Sequence, residues 1–231
     1  MLHGLVDDLL AVLLPGRCPG CGSRAEPVCE RCEVGMRAAP HAPPPPGIVW
    51  STAVFAYEGV ARELVARVKY RNERIAVRWL GARLADRCAH APVAIDTVTW
   101  VPASASRRAE RGVDHGALLA RVVAEELGRD ARRLLARDNG PPQTGRPAAE
   151  RRAGPMLHGA GAAARMSIVG QNVLVVDDVV TTGATLRAAA RELLALGARE
   201  VLAATVARTP RPGEGRGVPP YTRSRADDSG G

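Results

Sequence analysis

The 231-residue chain is poor in lysine, in aromatic side chains and in long apolar runs. Lys69 is its one lysine, against 31 arginines. A P-loop nucleotidase needs G-x-x-x-x-G-K-[ST] to place a lysine on its phosphates, and a receiver domain needs a lysine on a late strand. Lys69, which follows Val68, serves neither. Aromatics at 3% argue against a single-strand reader built from stacking platforms, which lines a groove with several ring faces. The apolar run from Leu9 to Leu14 is too short to span a bilayer, and Asp7 and Asp8 precede it where a signal peptide would be positive. No membrane insertion and a cytoplasmic location are therefore expected. Gly159–Ala164 fits G-x-G-x-x-A by letter, but no strand precedes it, so a dinucleotide fold is set aside.

What is present starts with charge. A formal net charge of +8 favours an anionic partner, a phosphate ester or nucleic acid, although arginine alongside abundant Ala and Gly also reads as compositional bias. Four of the five cysteines share one window, Cys18, Cys21, Cys29 and Cys32, as C-x2-C-x7-C-x2-C. Two such knuckles can turn four thiolates toward one tetrahedral Zn²⁺, whose binding supplies folding energy that so short a segment cannot get from a core. Disulfides or free thiols are the competing reading; a reducing setting favours the metal. Cys88 stands alone in a helix-like stretch and reads as core.

The organisation follows from composition and periodicity. Residues 1–38 form the N-terminal helix and cysteine module, and the Pro-rich 39–47 a stiff extended linker separating it from the rest. Residues 48–208 are expected to form the main domain, and 209–231, dominated by Pro, Gly and charge, a disordered tail. Within the main domain, alternation predicts strands over 48–57, 95–101, 132–136, 172–177 and 200–207. Helices are predicted over 60–69, 75–89, 116–127 and 184–196, the last ended by Gly197, and a long mobile loop with one helical turn over 143–164. Strand, helix, strand repeats predict an α/β fold with a parallel sheet covered on both faces.

The most informative stretch is VLVVDDVVTTGATL, residues 173–186. An apolar strand delivers Asp177 and Asp178 to the carboxyl edge of a parallel sheet, where ligands bind. Thr181, Thr182, Gly183, Ala184 and Thr185 then lead into a helix whose first N–H groups favour anions. Carboxylates repel phosphate, so the two halves must contact different parts of one ligand. A sugar phosphate satisfies both: ribose hydroxyls donate to the acids while the phosphate sits in the hydroxyl-rich turn. A strand end capped by threonine, with merely solvated acids, is the plainer reading, and a fourteen-residue pattern in this context outweighs it.

That stretch resembles the 5-phosphoribosyl diphosphate (PRPP) signature of type I phosphoribosyltransferases, and the chain as a whole resembles the ComF family. Over about residues 9–207 the similarity includes the four cysteines, Tyr57-Glu58-Gly59, Lys69-Tyr70, Asp96, Val101-Pro102, Arg111-Gly112, Gln143 and Arg151. It implies a type I phosphoribosyltransferase-like sheet flanked by helices, with a small N-terminal four-cysteine zinc module. It implies that Asp177 and Asp178 hold the ribose hydroxyls as the catalytic acids, and that Val179, Val180, Thr181, Thr182, Gly183, Ala184 and Thr185 bind PRPP through its 5-phosphate. It implies a diphosphate loop at Ala103, Ser104, Arg107 and Arg108, a flexible closing loop around Gln143 and Arg151, and Mg²⁺ bridging diphosphate and ribose oxygens.

Departures mark the acceptor side. Arg111-Gly112-Val113-Asp114-His115 stands where the family usually has Arg-Gly-Phe-Asn-Gln, Ala103-Ser104-Ala105 replaces a second proline and an apolar residue, and Gly154 replaces an expected Asn. His115 reads as an ordinary, partly exposed helix residue, with a catalytic base as the competing reading. Two functions follow from the resemblance. One is a PRPP-dependent phosphoribosyltransferase with an unidentified acceptor. The other is an accessory to DNA uptake that binds single-stranded DNA or a competence or DNA-processing protein, its PRPP site vestigial or sensory. A homodimer is compatible with both.

Overall fold

A computed structural model describes residues 16–25, 27–71, 74–105, 109, 112–137 and 155–211. Its centre is a five-stranded, wholly parallel sheet made of β1 (Trp50–Ala56), β2 (Thr97–Trp100), β3 (Asp130–Ala131), β6 (Asn172–Val180) and β7 (Glu200–Arg208) in the order β1-β7-β6-β2-β3. Two short strands, β4 (Leu135–Arg137) and β5 (Leu157–Gly159), pair antiparallel beside it. The long apolar runs of β6 and β7 suit strands whose two faces are both covered, and Val173–Val176 and Val201–Ala207 are buried throughout.

Helices α2 (Gly59–Arg71), α3 (Arg74–Cys88) and α4 (His115–Glu126) pack on one face, and α5 (Ala162–Met166) and α6 (Ala184–Ala195) on the other. Helix α4 starts at the N-cap Asp114, which accepts from the Ala117 N–H (3.4 Å), and buries Leu119, Ala120, Val123 and Ala124 along one stripe. In α6 the buried stripe is mostly alanine, Ala184, Ala188, Ala189 and Ala190 with Leu186 and Leu193, so helix and sheet lie close.

The Pro-rich segment is not a free spacer. Ala38 bridges antiparallel to Phe55, the Ala39 N–H donates to the Val54 carbonyl (3.0 Å), and the Ala56 N–H donates to the Arg37 carbonyl (2.9 Å). The chain then runs back along the edge of β1 as a strap, and Ile48 donates to Pro45 O (3.1 Å) just before the strand begins. Proline stiffness forecasts an extended segment but not where it lies; the unpaired edge of β1 supplies the docking surface.

The cysteine module also packs on the domain. Cys18, Val28 and Met36 belong to one buried cluster with Phe55, Leu64, Val65 and Leu80. Gly20 approaches α2 so closely that a Cβ there would lie 2.6 Å from Val60 Cγ2 and 2.7 Å from Cys32 Sγ. Glu33, on the short helix α1 (Glu30–Val34), pairs with the buried Arg83 of α3, whose guanidinium lies 4.3 Å above the Trp79 ring; that ring in turn stacks on Phe55.

Several expectations are corrected. The predicted strand over 132–136 is two pieces: Asp130–Ala131 extends the main sheet, and Leu135–Arg137 pairs with Leu157–Gly159. That second pairing and α5 replace part of the loop expected over 143–164, because Leu157 and Ala164 bury on α6 despite their polar surroundings. Strand β6 continues three residues beyond Asp177, to Val180. His115 is buried, with 6% of its surface exposed, because the N-cap turns the first helical residue toward the core.

Candidate functional site

The chain direction of the sheet places the site. From β2 the connection through α4 leads outward to β3, while from β6 the connection through α6 leads to β7 on the other side. The strand order therefore reverses between β2 and β6, and the crevice at their carboxyl ends is where open parallel sheets bind ligands. Asp177 and Asp178 lie at that end of β6. The turn after β2 lies beside them, since the Val101 N–H donates to the Val176 carbonyl (3.2 Å).

Asp177 and Asp178 are both half-buried, and Asp177 Oδ1 accepts from the Asp178 N–H (2.9 Å). After Val180 the chain turns through the exposed Thr181 and Thr182 to Gly183, which has a left-handed φ of 73° and caps α6. Without a Cβ the backbone can reverse there and present the first turn of the helix outward. Thr182 Oγ1 accepts from the Ala184 N–H (3.4 Å), and an Arg187 guanidinium N–H donates to the Thr182 carbonyl (3.3 Å), which steadies the turn. Asp177 and residues 179–186 enclose a hollow of about 30 Å³, room for one water-sized group. Asp178 is not among the residues lining it.

Of the diphosphate loop, Ala103 and Ser104 are half-buried at the end of β2. Arg107, Arg108, Gln143 and Arg151 lie outside the described residues. Asp114 is a contributor missed in the sequence reading. Its carboxylate caps α4 and also accepts from Trp100 Nε1 (3.3 Å) and the Ala103 N–H (3.4 Å), tying the end of β2 to the turn. The signal was legible: an Asp directly before a helical repeat is an N-cap.

The strap borders the same turn. A Cβ at Gly183 would lie 3.0 Å from Pro45 Cγ, so Pro45 rests against the backbone that opens α6.

The sulfur atoms of Cys18, Cys21, Cys29 and Cys32 all lie within 4.8 Å of one another, and none is in a disulfide. Tetrahedral zinc–thiolate geometry with bonds of about 2.3 Å spaces its sulfurs about 3.8 Å apart, so the cluster fits one metal ion. Cys18 is 2% exposed. Burial raises its thiol pKa, but N–H donation from Cys29, Cys21 and Gly20, with help from the Cys32 side chain, outweighs burial and brings it down to about 6. The Cys21 thiol is lowered by Ser23 and by the neighbouring thiols, whereas burial, followed by the crowded sulfurs, pushes Cys32 up to about 12. Four thiols that cannot all ionise together without a cation are what a metal neutralises.

Comparison with known proteins agrees with this architecture. The family described as "Phosphoribosyl transferase domain" matches residues 109–223, which include β3 to β7, so the fold is of phosphoribosyltransferase type. Competence protein ComFC of Bacillus subtilis (strain 168) is 28% identical over 195 residues, covering 78% of this chain and 72% of the relative. Together with the N-terminal four-cysteine cluster, the arrangement of this chain resembles that of the ComF family. Among solved structures, the glutamine phosphoribosylpyrophosphate amidotransferase of B. subtilis is 26% identical at a TM-score of 0.39, over 56% of this chain. The chain spans only 26% of that enzyme's length. A purine phosphoribosyltransferase from Pyrococcus horikoshii Ot3 is 22% identical at a TM-score of 0.38, covering 58% of this chain and 74% of that one. Among the described residues no helix is long and apolar enough to cross a membrane.

Proposed function

We propose that the chain is a Mg²⁺-dependent, PRPP-binding phosphoribosyltransferase of the cytoplasm, with Zn²⁺ as the structural ion of its four-cysteine cluster. The observation that carries the reading is that Asp177 shares one hollow with the Thr181–Thr185 turn, at the strand ends where the sheet order reverses. An acid and an anion-favouring turn so close together suit a ligand with hydroxyls at one end and a phosphate at the other.

In this reading Asp177 and Asp178 accept from the two ribose hydroxyls and fix the ring. The Thr181, Thr182 and Thr185 hydroxyls and the first N–H groups of α6 hold the 5-phosphate over the mouth of the small hollow, with the rest of the ligand over the ends of β6 and β2. Ala103 and Ser104 face the diphosphate, with Arg107 and Arg108 as its electrostatic partners. Gln143 and Arg151 belong to the segment that closes over the reacting carbon. Loss of diphosphate leaves positive charge on the sugar, and two fixed carboxylates on its hydroxyl face stabilise that charge without reorganising. Mg²⁺, when bound, neutralises the diphosphate as a small hard cation held largely by its substrate. Titration calorimetry with Mg·PRPP tests the reading: saturable binding lost in Asp177→Asn/Asp178→Asn is expected, and unchanged affinity in that variant overturns it.

A second reading has its own support, the similarity to a competence protein together with the net charge of +8. Here the cysteine module and the arginine surface engage single-stranded DNA or a DNA-processing protein. Affinity for single-stranded DNA should then fall steeply with salt and disappear when the cysteines are replaced. Retention of neither DNA nor an uptake protein would remove it.

A further inference from the structure

The turn after β2 begins where the sheet stops holding the chain. Trp100 ends β2 and pairs with Val176, and the Val101 N–H donates to the Val176 carbonyl (3.2 Å). Pro102 has no N–H to donate, so the ladder is interrupted there and the shape of the turn at Ala103 and Ser104 depends on other contacts.

Asp114 joins three segments at one carboxylate. Its Oδ1 accepts from the Ala117 N–H in the first turn of α4 (3.4 Å). Its Oδ2 accepts from the Nε1–H of the buried Trp100 (3.3 Å) and from the Ala103 N–H (3.4 Å). Capping α4 needs only one oxygen, and serine or asparagine would serve as well. The second oxygen is what reaches the turn, and among the side chains that favour this cap position only a carboxylate carries two acceptor oxygens. Gly116 lets the segments come this close: a Cβ there would lie 3.2 Å from the Val101 carbonyl oxygen, 3.3 Å from Asp114 Oδ1 and 3.4 Å from Trp100 Cδ1. The helix start, the strand end and the turn therefore pack as one unit, held beside the residue that precedes Asp177 on β6.

We propose that Asp114 is a positioning residue for the diphosphate: by holding the Ala103 N–H and the Trp100 indole it fixes the Ala103–Ser104 turn relative to Asp177 and Asp178. The proposal rests on the PRPP reading, in which that turn faces the diphosphate. The role is geometric, not electrostatic, and the sign of one substitution separates the two. A carboxylate near a diphosphate repels it, so on charge alone Asp114→Asn tightens binding. Positioning demands the opposite. Asparagine keeps the size of the side chain and one oxygen for the cap, but turns an NH2 group toward the two N–H donors that the second oxygen had received.

The experiment is titration calorimetry of the full-length, zinc-loaded chain and of Asp114→Asn with Mg·PRPP and, separately, with ribose 5-phosphate, which lacks the diphosphate. In Asp114→Asn the Mg·PRPP affinity is expected to fall at least about tenfold while that for ribose 5-phosphate stays within about twofold. A merely structural role would weaken both ligands alike. In isotope-labelled protein the Trp100 indole N–H resonance, assigned with Trp100→Phe, should move and exchange faster with solvent in Asp114→Asn. If Asp114→Asn lowers the melting temperature, Gly116→Ala serves as the second probe. It leaves the carboxylate in place but pushes the helix start off the turn, and should give the same selective loss to a smaller degree. Unchanged or tighter Mg·PRPP binding, equal loss of both ligands, or an unmoved indole resonance would overturn the proposal. Failure of the PRPP reading shows instead in the wild type, as no binding of Mg·PRPP before any substitution is made, and takes this proposal with it.

Discussion

Replacing Gly183 by alanine tests whether the strap sits on the ligand turn. Two costs add. Alanine at a φ of 73° is in the left-handed region, at about 1–2 kcal/mol. The new methyl would also lie 3.0 Å from Pro45 Cγ, well inside the about 3.5–4.0 Å at which carbon contacts are favourable. Over-packing of this kind costs about 1–3 kcal/mol, and the lower end applies because the proline part of the strap can retreat. The total is about 2–3 kcal/mol, or a fall in melting temperature of about 4–12 °C for a chain of this size. Pro45→Ala removes Cγ and leaves Cβ at an ordinary 3.5 Å, relieving the contact but not the backbone strain. In urea unfolding of the wild type, both single variants and the double variant, Gly183→Ala should therefore cost about 1 kcal/mol less in the Pro45→Ala background. Additivity within about 0.3 kcal/mol would show that Pro45 does not touch the turn, and the placement of the strap would fall with it.

Chelating the metal should lower the melting temperature of the whole chain in one transition, because Cys18, Val28 and Met36 share a core with α2 and α3; calorimetric scanning showing a separate module transition would refute this. Arg83→Met should cost about 1–3 kcal/mol, less than a fully buried pair because Glu33 keeps 20% of its side chain exposed, and should speed zinc loss to a chelator followed with a metal-sensitive dye. Cys88 is 2% exposed and burial pushes its thiol up to about 12 from 9.0. It should resist alkylation in the native, zinc-loaded protein, as located by mass spectrometry, and fast native labelling would contradict its burial. The sign for stability follows from the same shift: the contribution is complete below about pH 9 and is lost as pH rises toward 12, where the unfolded chain ionises first.

The parallel sheet was legible because β6 and β7 are built on apolar runs, Val173–Val176 and Val201–Ala204, and the switch point because two acids near the end of β6 are followed closely by a hydroxyl turn. The cysteine cluster was legible from spacing alone, which forces four thiols together over a short loop. What escaped were contacts between distant segments. Nothing in Leu157–Gly159 distinguishes three residues that pair with Leu135–Arg137 from the surrounding Gly- and Ala-rich chain, since so short a strand has no period to read. The docking of the module on α2 and α3 depends on Gly20 meeting Val60 and Glu33 meeting Arg83, pairs about 40 and 50 residues apart. The burial of His115 reflects which way the cap at Asp114 turns the helix, and composition does not encode that direction.

The strap also sets a ruler. From Ala39, pinned opposite Val54, to Ile48 there are nine steps, about 28 Å of polyproline-like chain, to cover about 20 Å of strand between Ile48 and Val54. The surplus of about 8 Å is what lets the segment arch. Deleting two prolines would leave about 22 Å, nearly taut, flattening the arch onto the β1 backbone. Lengthening it would slacken the hold on Gly183. Shortening or extending this stretch by even two residues therefore changes the geometry of the molecule more than the same change in an ordinary surface loop would.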